Sequence, residues 1–228
     1  MTVFGKKVLV TGGSRGIGFQ ISRIFMENGA DVLAVSRDIV KLAQAKELLP
    51  ELHILQADVS IPGDNDRIKN WIQDNWGVLD VLVNNAGVSP EDFRALLSVS
   101  DEVFDQTLHI NVSGPYMCTK RLIPLLLKSD DPRVVNVGST SGVMSSNLHG
   151  VYGISKAALH ALTIATANEL NGEIAVNALS PGWVRTDMAP DAPGDPVTSA
   201  SAALWLVNQP RDLTGKLFHD MAEIAWGS

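Results

Sequence analysis

Lys7-Val8-Leu9-Val10-Thr11-Gly12-Gly13-Ser14-Arg15-Gly16-Ile17-Gly18 is the stretch that decides the fold. Its opening run, Lys7 to Val10, is short and mainly apolar, as a strand buried in a parallel sheet requires. Past the glycines, Ile21, Ile24 and Phe25 recur at helical spacing, so strand, glycine turn and helix follow one another. In that context each glycine has a physical task. Gly12 permits the tight turn, Gly16 lets backbone approach a pyrophosphate, and Gly18 allows the helix to pack closely on the strand. The helix start, with Ser14, Arg15 and Ile17 around it, offers amides and a positive dipole end to phosphate.

Working outward, Asp31 to Ser36 reads as a second strand ending at Arg37 and Asp38. An acid at that strand end would bind the ribose 2′-hydroxyl of NAD, whereas arginine accommodates the 2′-phosphate of NADP. Ser36 and Arg37 occupy the position, Asp38 reads as the N-cap of the next helix, and Arg15 adds a second cation. NADP is therefore expected ahead of NAD. Leu52 to Val59 is a third strand with Asp58 and Val59 at its end, where an adenine amino group could be bound. Leu79 to Val83 is a fourth, running into Asn84-Asn85-Ala86-Gly87, a backbone-rich surface suited to ribose or adenine; the plainer reading is an ordinary turn.

Residues 101–128 carry one long helical pattern, with Asn111 inside it and a kink expected at Gly114-Pro115. Arg133 to Val137 is a fifth strand that delivers Ser139, with Ser141 beyond it, to the same sheet edge as Asp58 and Asn85. Ile174 to Leu179 is a sixth, leading into Pro181-Gly182-Trp183-Val184-Arg185-Thr186. The rigid Pro-Gly turn can press backbone against a planar ligand, and Thr186 could bind its amide. Asp191 to Pro196 reads as a flap, Ala200 to Val207 as the last helix and Lys216 to His219 as the final strand. Repeated βαβ alternation without linker or repeat predicts one α/β domain over residues 1–228.

Tyr152 and Lys156 lie one turn apart on the same face of a helix. An ammonium so placed favours the phenolate, lowering a value that is ordinarily ~10 and making the phenol a usable acid or base. His149, three residues earlier, and Trp183 are candidates to line a substrate pocket; an incidental loop histidine is the alternative for His149. Single Cys118 excludes an internal disulfide and fits a reducing cytoplasm. The formal net charge of −7 argues against nucleic acid or anionic membrane as the main partner. No apolar run approaches the ~20 residues needed to span a bilayer.

Taken together, Thr11-Gly12-x-x-x-Gly16-x-Gly18, Asn84-Asn85-Ala86-Gly87, Asn111, Ser139, Tyr152-x-x-x-Lys156 and Pro181-Gly182 resemble the short-chain dehydrogenase/reductase family in its single-domain form. The match runs in order from about residue 5 to 220. The resemblance implies a Rossmann-like doubly wound parallel sheet of about seven strands, with helices on both faces. It also implies roles: Tyr152 as general acid or base, Lys156 lowering its pKa and holding the nicotinamide ribose, Ser139 bonding the substrate oxygen, and Asn111 holding a relay water. The implied activity is NADPH-dependent reduction of an aldehyde, ketone or 3-oxoacyl group, or oxidation of the alcohol, with no metal. A cofactor-binding sensor and an NAD-preferring alcohol dehydrogenase are the alternatives. Two helical stretches, 101–128 and 152–170, are more apolar than one sheet contact needs. The resemblance implies that such helices pair in a homo-oligomer, tetramer or dimer.

Overall fold

Eight strands hydrogen-bond into a single sheet of order β3-β2-β1-β4-β5-β6-β7-β8 in a computed structural model that describes residues 2–90, 96–143 and 150–225. The first half comprises β1 (Lys7–Thr11), α1 (Gly16–Glu27), β2 (Asp31–Ser36), α2 (Ile39–Leu48), β3 (His53–Gln56), α3 (Pro62–Asn75) and β4 (Val81–Asn84). The second comprises α4 (Asp101–Leu108), α5 (Gly114–Leu126), β5 (Arg133–Val137), α6 (Gly150–Leu170), β6 (Ala175–Ser180), α7 (Pro196–Val207), β7 (Leu217–His219) and β8 (Ala222–Ile224). β1 to β7 pair in parallel, and β8 turns back antiparallel on β7.

Both faces of the sheet are covered, and the side-chain alternation of β1 shows how. Val8 and Val10 enter one core with Ile21 and Phe25 of α1, Leu42 of α2 and Leu206 of α7. Leu9 enters the other, with Ile68 and Ile72 of α3, Leu122 of α5 and Leu170 of α6. A strand with apolar neighbours on either side reads as a continuous apolar run, which is why the Val8-Leu9-Val10 pattern lacked the polar alternation of a half-exposed strand. Cys118 is buried in the second core, and burial pushes its thiol up to about 12.

Several expectations are refined. The sheet has eight strands rather than about seven: residues 222–224 are too short to announce themselves, and β8 forms because the turn after β7 folds them onto its free edge. The long helical pattern over 101–128 is divided. α4 passes through a π-helical turn, His109–Ser113, before α5 begins, so the irregularity is centred on Asn111 rather than on Gly114-Pro115. α7 starts four residues earlier than its apolar run, because Asp195 accepts a hydrogen bond from the Val197 amide as N-cap and Pro196 suits the first turn. Asp38 caps α2 as read, its carboxylate accepting from the Lys41 amide at 3.0 Å.

Strand order reverses direction between β1 and β4, so the loops leaving their carboxyl ends diverge and open a crevice. That crevice carries the site.

Candidate active site

The glycine loop forms the crevice floor. Gly12 and Gly16 adopt φ of +65° and +55°, which only glycine takes without strain. A side chain at Gly18 would overlap the Gly12 carbonyl and the Asn85 amide, so α1 approaches β1 as closely as backbone permits. Arg15 stands at the N-cap of α1 without a side-chain cap bond, which leaves first-turn amides directed into the cleft. The Asn85 amide donates to the Thr11 and Gly12 carbonyls at 2.9 and 3.2 Å, while Thr11 Oγ1 accepts from the Asn85 and Ala86 amides at 3.0 Å. Asn85 thus lines the cleft, but its side chain serves to fix the glycine loop.

At the outer end, Ser14 and Ser36 share a hydrogen bond of 3.1 Å at the end of β2. The Arg37 guanidinium lies 3.6 Å from the Asp58 carboxylate, which also accepts from Ser60. Arg15 is ion-paired with Asp187, and Lys41 lies 3.5 Å from the same carboxylate. These cations hold Asp187 well below the usual carboxylate range, the Arg15 hydrogen bond contributing most.

At the inner end stand the residues suited to chemistry. Lys156 is buried, and its Nζ donates to the Val137 carbonyl at 2.8 Å while lying 5.7 Å from the Tyr152 ring centroid. Removal from water lowers the ammonium from 10.5 to about 8. Ser139 neighbours the Tyr152 phenol, and its hydroxyl accepts from the Ser141 amide at 3.1 Å. Burial raises the phenol above its ordinary 10.0, and the neighbouring Ser139 hydroxyl draws it partly back. The sequence-based expectation of a phenol lowered by Lys156 therefore meets the opposite direction. The physical reason is that the lysine donor turns to Val137 and the phenol is itself desolvated. Asn111 Oδ1 accepts from the Val88 amide at 2.8 Å, and its Nδ2 donates to the Val88 carbonyl at 2.8 Å and to Ser155 Oγ at 2.9 Å. The side chain thus clamps the β4 loop to α6.

One cleft therefore brings together Gly12, Ser14, Arg15, Gly16, Ile17, Gly18, Ser36, Arg37, Asp58, Val59, Asn85, Ala86, Gly87, Tyr152, Lys156, Pro181 and Thr186. Asn111 and Ser139 flank it through Ile110 and Gly138. Gly182, Val184, Ser141 and Trp183 do not line it: Gly182 backs onto His219, Val184 is buried in a short bridge to Gly194, and Trp183 is 69% exposed. The Trp183 carbonyl accepts from Gly194, so residues 183–194 close on themselves as a loop with the tryptophan turned outward. His149 lies outside the described residues.

Sequence reading missed Lys41, Asp187 and Met188 at the cleft mouth, and His160 beneath Ser139. For Lys41 the available signal was its place in the first turn after the Asp38 cap. For His160 it was the spacing: one turn beyond Lys156 on the Tyr152 face of α6.

A crevice at the strand-order reversal, a glycine loop feeding a helix N-terminus, and a Tyr-Lys pair with a serine at its inner end define a dinucleotide-dependent oxidoreductase of the short-chain type. The short chain dehydrogenase family model matches residues 6–195, and the chain belongs to that family. It is 34% identical over 196 residues to the 3-oxoacyl-[acyl-carrier-protein] reductase FabG of Chlamydia pneumoniae, covering 82% of this chain and 77% of that one. It is 35% identical over 222 residues to the rhamnolipids biosynthesis 3-oxoacyl-[acyl-carrier-protein] reductase of Pseudomonas aeruginosa, covering 92% and 86%. The solved RhlG/NADP active-site complex of Pseudomonas aeruginosa superposes with a TM-score of 0.88 at 32% identity, covering 96% of this chain and 95% of that one. Among the described residues no helix is long and apolar enough to cross a membrane.

Proposed function

We propose that this oxidoreductase is an NADPH-dependent reductase of aldehydes, ketones or 3-oxoacyl groups, running in reverse as an alcohol dehydrogenase. The observation that carries the proposal is the meeting of Ser139, Tyr152 and Lys156 at the inner end of the cleft that starts at the glycine loop. The fit to NADPH rests on the chain's own groups. Uncapped α1 amides and Arg15 suit the pyrophosphate, and Ser36, Arg37 and Lys41 suit a 2′-phosphate. A superposable NADP complex supports the same cofactor, and relatives whose names describe 3-oxoacyl reductases support the substrate class.

A bound NADPH supplies the hydride to the carbonyl carbon. The protein's part is the oxygen. Tyr152 and Ser139, neighbours in the cleft, would donate to the substrate oxygen together. As negative charge develops there, Tyr152 Oη delivers its proton, and Ser139 stabilises the oxyanion until it does. Burial keeps the phenol protonated at neutral pH, which is the form that reduction needs. Lys156, charged below about 8, is the cation that would hold the ribose hydroxyls. Asn111 keeps the Val88 loop and Ser155 in place behind it.

A panel of aldehydes, ketones and 3-oxoacyl thioesters with NADPH tests the proposal. Protein that binds NADPH yet turns over nothing in either direction would support a sensor role instead. The same reading takes the chain as a homo-oligomer, with exposed Tyr116 on α5 and Leu127 just past its end facing a second copy. A monomer mass by light scattering at micromolar concentration would exclude that assembly.

A further inference from the structure

Gly138, Ser139 and Thr140 leave β5 with each backbone amide anchored in turn. The Gly138 amide donates to the Leu179 carbonyl at 2.8 Å, and the Thr140 amide donates to Ser180 Oγ at 2.9 Å. Both of those acceptors belong to β6. The Ser139 amide between them donates instead to Nε2 of His160, at 3.3 Å, on α6. Its acceptor therefore sits on the helix that carries Tyr152 and Lys156, two turns and one turn upstream on the same face.

His160 is 1% exposed, and its ring fills the space that a side chain at residue 138 would need; a Cβ on Gly138 would overlap Nε2. To accept from an amide, Nε2 must be unprotonated, so the proton of a neutral ring belongs on Nδ1.

We infer that His160 is a positioning residue for the reaction: its Nε2 ties the Ser139 backbone to α6, setting the distance between the Ser139 hydroxyl and the Tyr152 phenol. Ser139 comes from the sheet and Tyr152 from a helix, so the two hydroxyls are only as well aligned as the joint between the two elements. Among the described residues, His160 is the side chain of α6 that bonds the Ser139 backbone. Burial and the neighbouring Lys156 ammonium hold the imidazole down to about 3, so the acceptor survives throughout the working pH range. Gly138 is required for the same reason, since any larger residue would displace the ring. The inference rests on Ser139 and Tyr152 acting on the substrate oxygen as proposed above.

Two variants and one spectrum test it. His160→Leu keeps an apolar body of similar size and removes the acceptor; His160→Gln places an amide oxygen near the Nε2 position. The Leu variant should lose roughly tenfold or more in kcat, the cost of stranding a buried amide beside the reacting groups, while NADPH affinity is unchanged. The Gln variant should recover most of that loss. A Leu variant that folds and keeps kcat within about twofold overturns the inference, as does a Gln variant no better than Leu. Should His160→Leu not fold, the comparison of Gln with wild type still decides, because a bulk-only role predicts no special tolerance of Gln. Independently, ¹⁵N-histidine NMR of the wild-type protein should show His160 as the Nδ1–H tautomer at every pH well above about 3. An Nε2–H tautomer, which cannot accept from the Ser139 amide, overturns the inference without any variant. If the wild type reduces no carbonyl at all, the functional proposal fails while the tautomer result stands, so the two failures are distinguishable.

Discussion

The ammonium of Lys156 donates to the backbone carbonyl of Val137 at 2.8 Å, so the lysine of the site is anchored to the strand that delivers Ser139. The group is buried, and its charge is held at the cost of desolvation, with a pKa of about 8.

The pH dependence follows from that value. Lysine is charged below its pKa, so raising the pH through about 8 removes the cation proposed to hold the ribose. For carbonyl reduction, kcat/KM should therefore fall on the alkaline side with a limb near about 8, well before the buried phenol titrates. A pH–rate profile flat to above 10.0 would assign the limb to Tyr152 instead.

Stability should move the other way. Between about 8 and 10.5 the unfolded chain keeps a proton on Lys156 that the folded chain has lost, so this group makes stability rise with pH across that window. Lys156→Met should abolish that rise and increase Tm at neutral pH, because it removes a desolvated charge without opening a cavity. Turnover should be lost at the same time. Thermal melts of both proteins from neutral to alkaline pH check the sign.

Tyr152→Phe removes one oxygen and leaves α6 and the cleft intact. Turnover should drop by the ~10²–10⁴ expected for a positioned general acid, with NADPH binding retained. Stopped-flow turnover and fluorescence titration together separate these effects; near-normal turnover would show that another group supplies the proton.

Arg37→Asp should shift preference from NADPH towards NADH. The substitution replaces the cation proposed to face the 2′-phosphate and also sets a second carboxylate beside Asp58, which now lies 3.6 Å from the guanidinium. Losing one charge-assisted contact costs about 1.5–3 kcal/mol, or roughly tenfold to over a hundredfold in Kd for NADPH. A wild type that already prefers NADH would overturn the assignment.

Asp187→Asn should tighten NADPH. The carboxylate engages both Arg15 and Lys41, two of the cations proposed to meet phosphate, so a phosphate would compete with it. Because the groups are half-exposed, each pair is worth little, and the gain should be roughly two- to fivefold in Kd. Weaker binding in the variant would show that Asp187 contributes a contact rather than a competing charge.

The order of strands and helices, the glycine loop, the capping role of Asp38 and the Tyr152-Lys156 pair were legible in the sequence, because each depends on residues close together in the chain. Apolar runs, glycines in a strand-turn-helix context and helical spacing are local physics. The sequence could also bring Asp58, Asn85 and Ser139 to one sheet edge, since parallel strands end on one side. What it left open was every relationship between distant segments. The clamp from Asn111 to Val88 and Ser155, the pairing of Asp187 with Arg15, and the bond from Ser139 to His160 join residues 21 to 172 positions apart. The direction of the Tyr152 shift was likewise undecided, because desolvation depends on what the packed fold places around a group, and spacing along one helix carries no record of that.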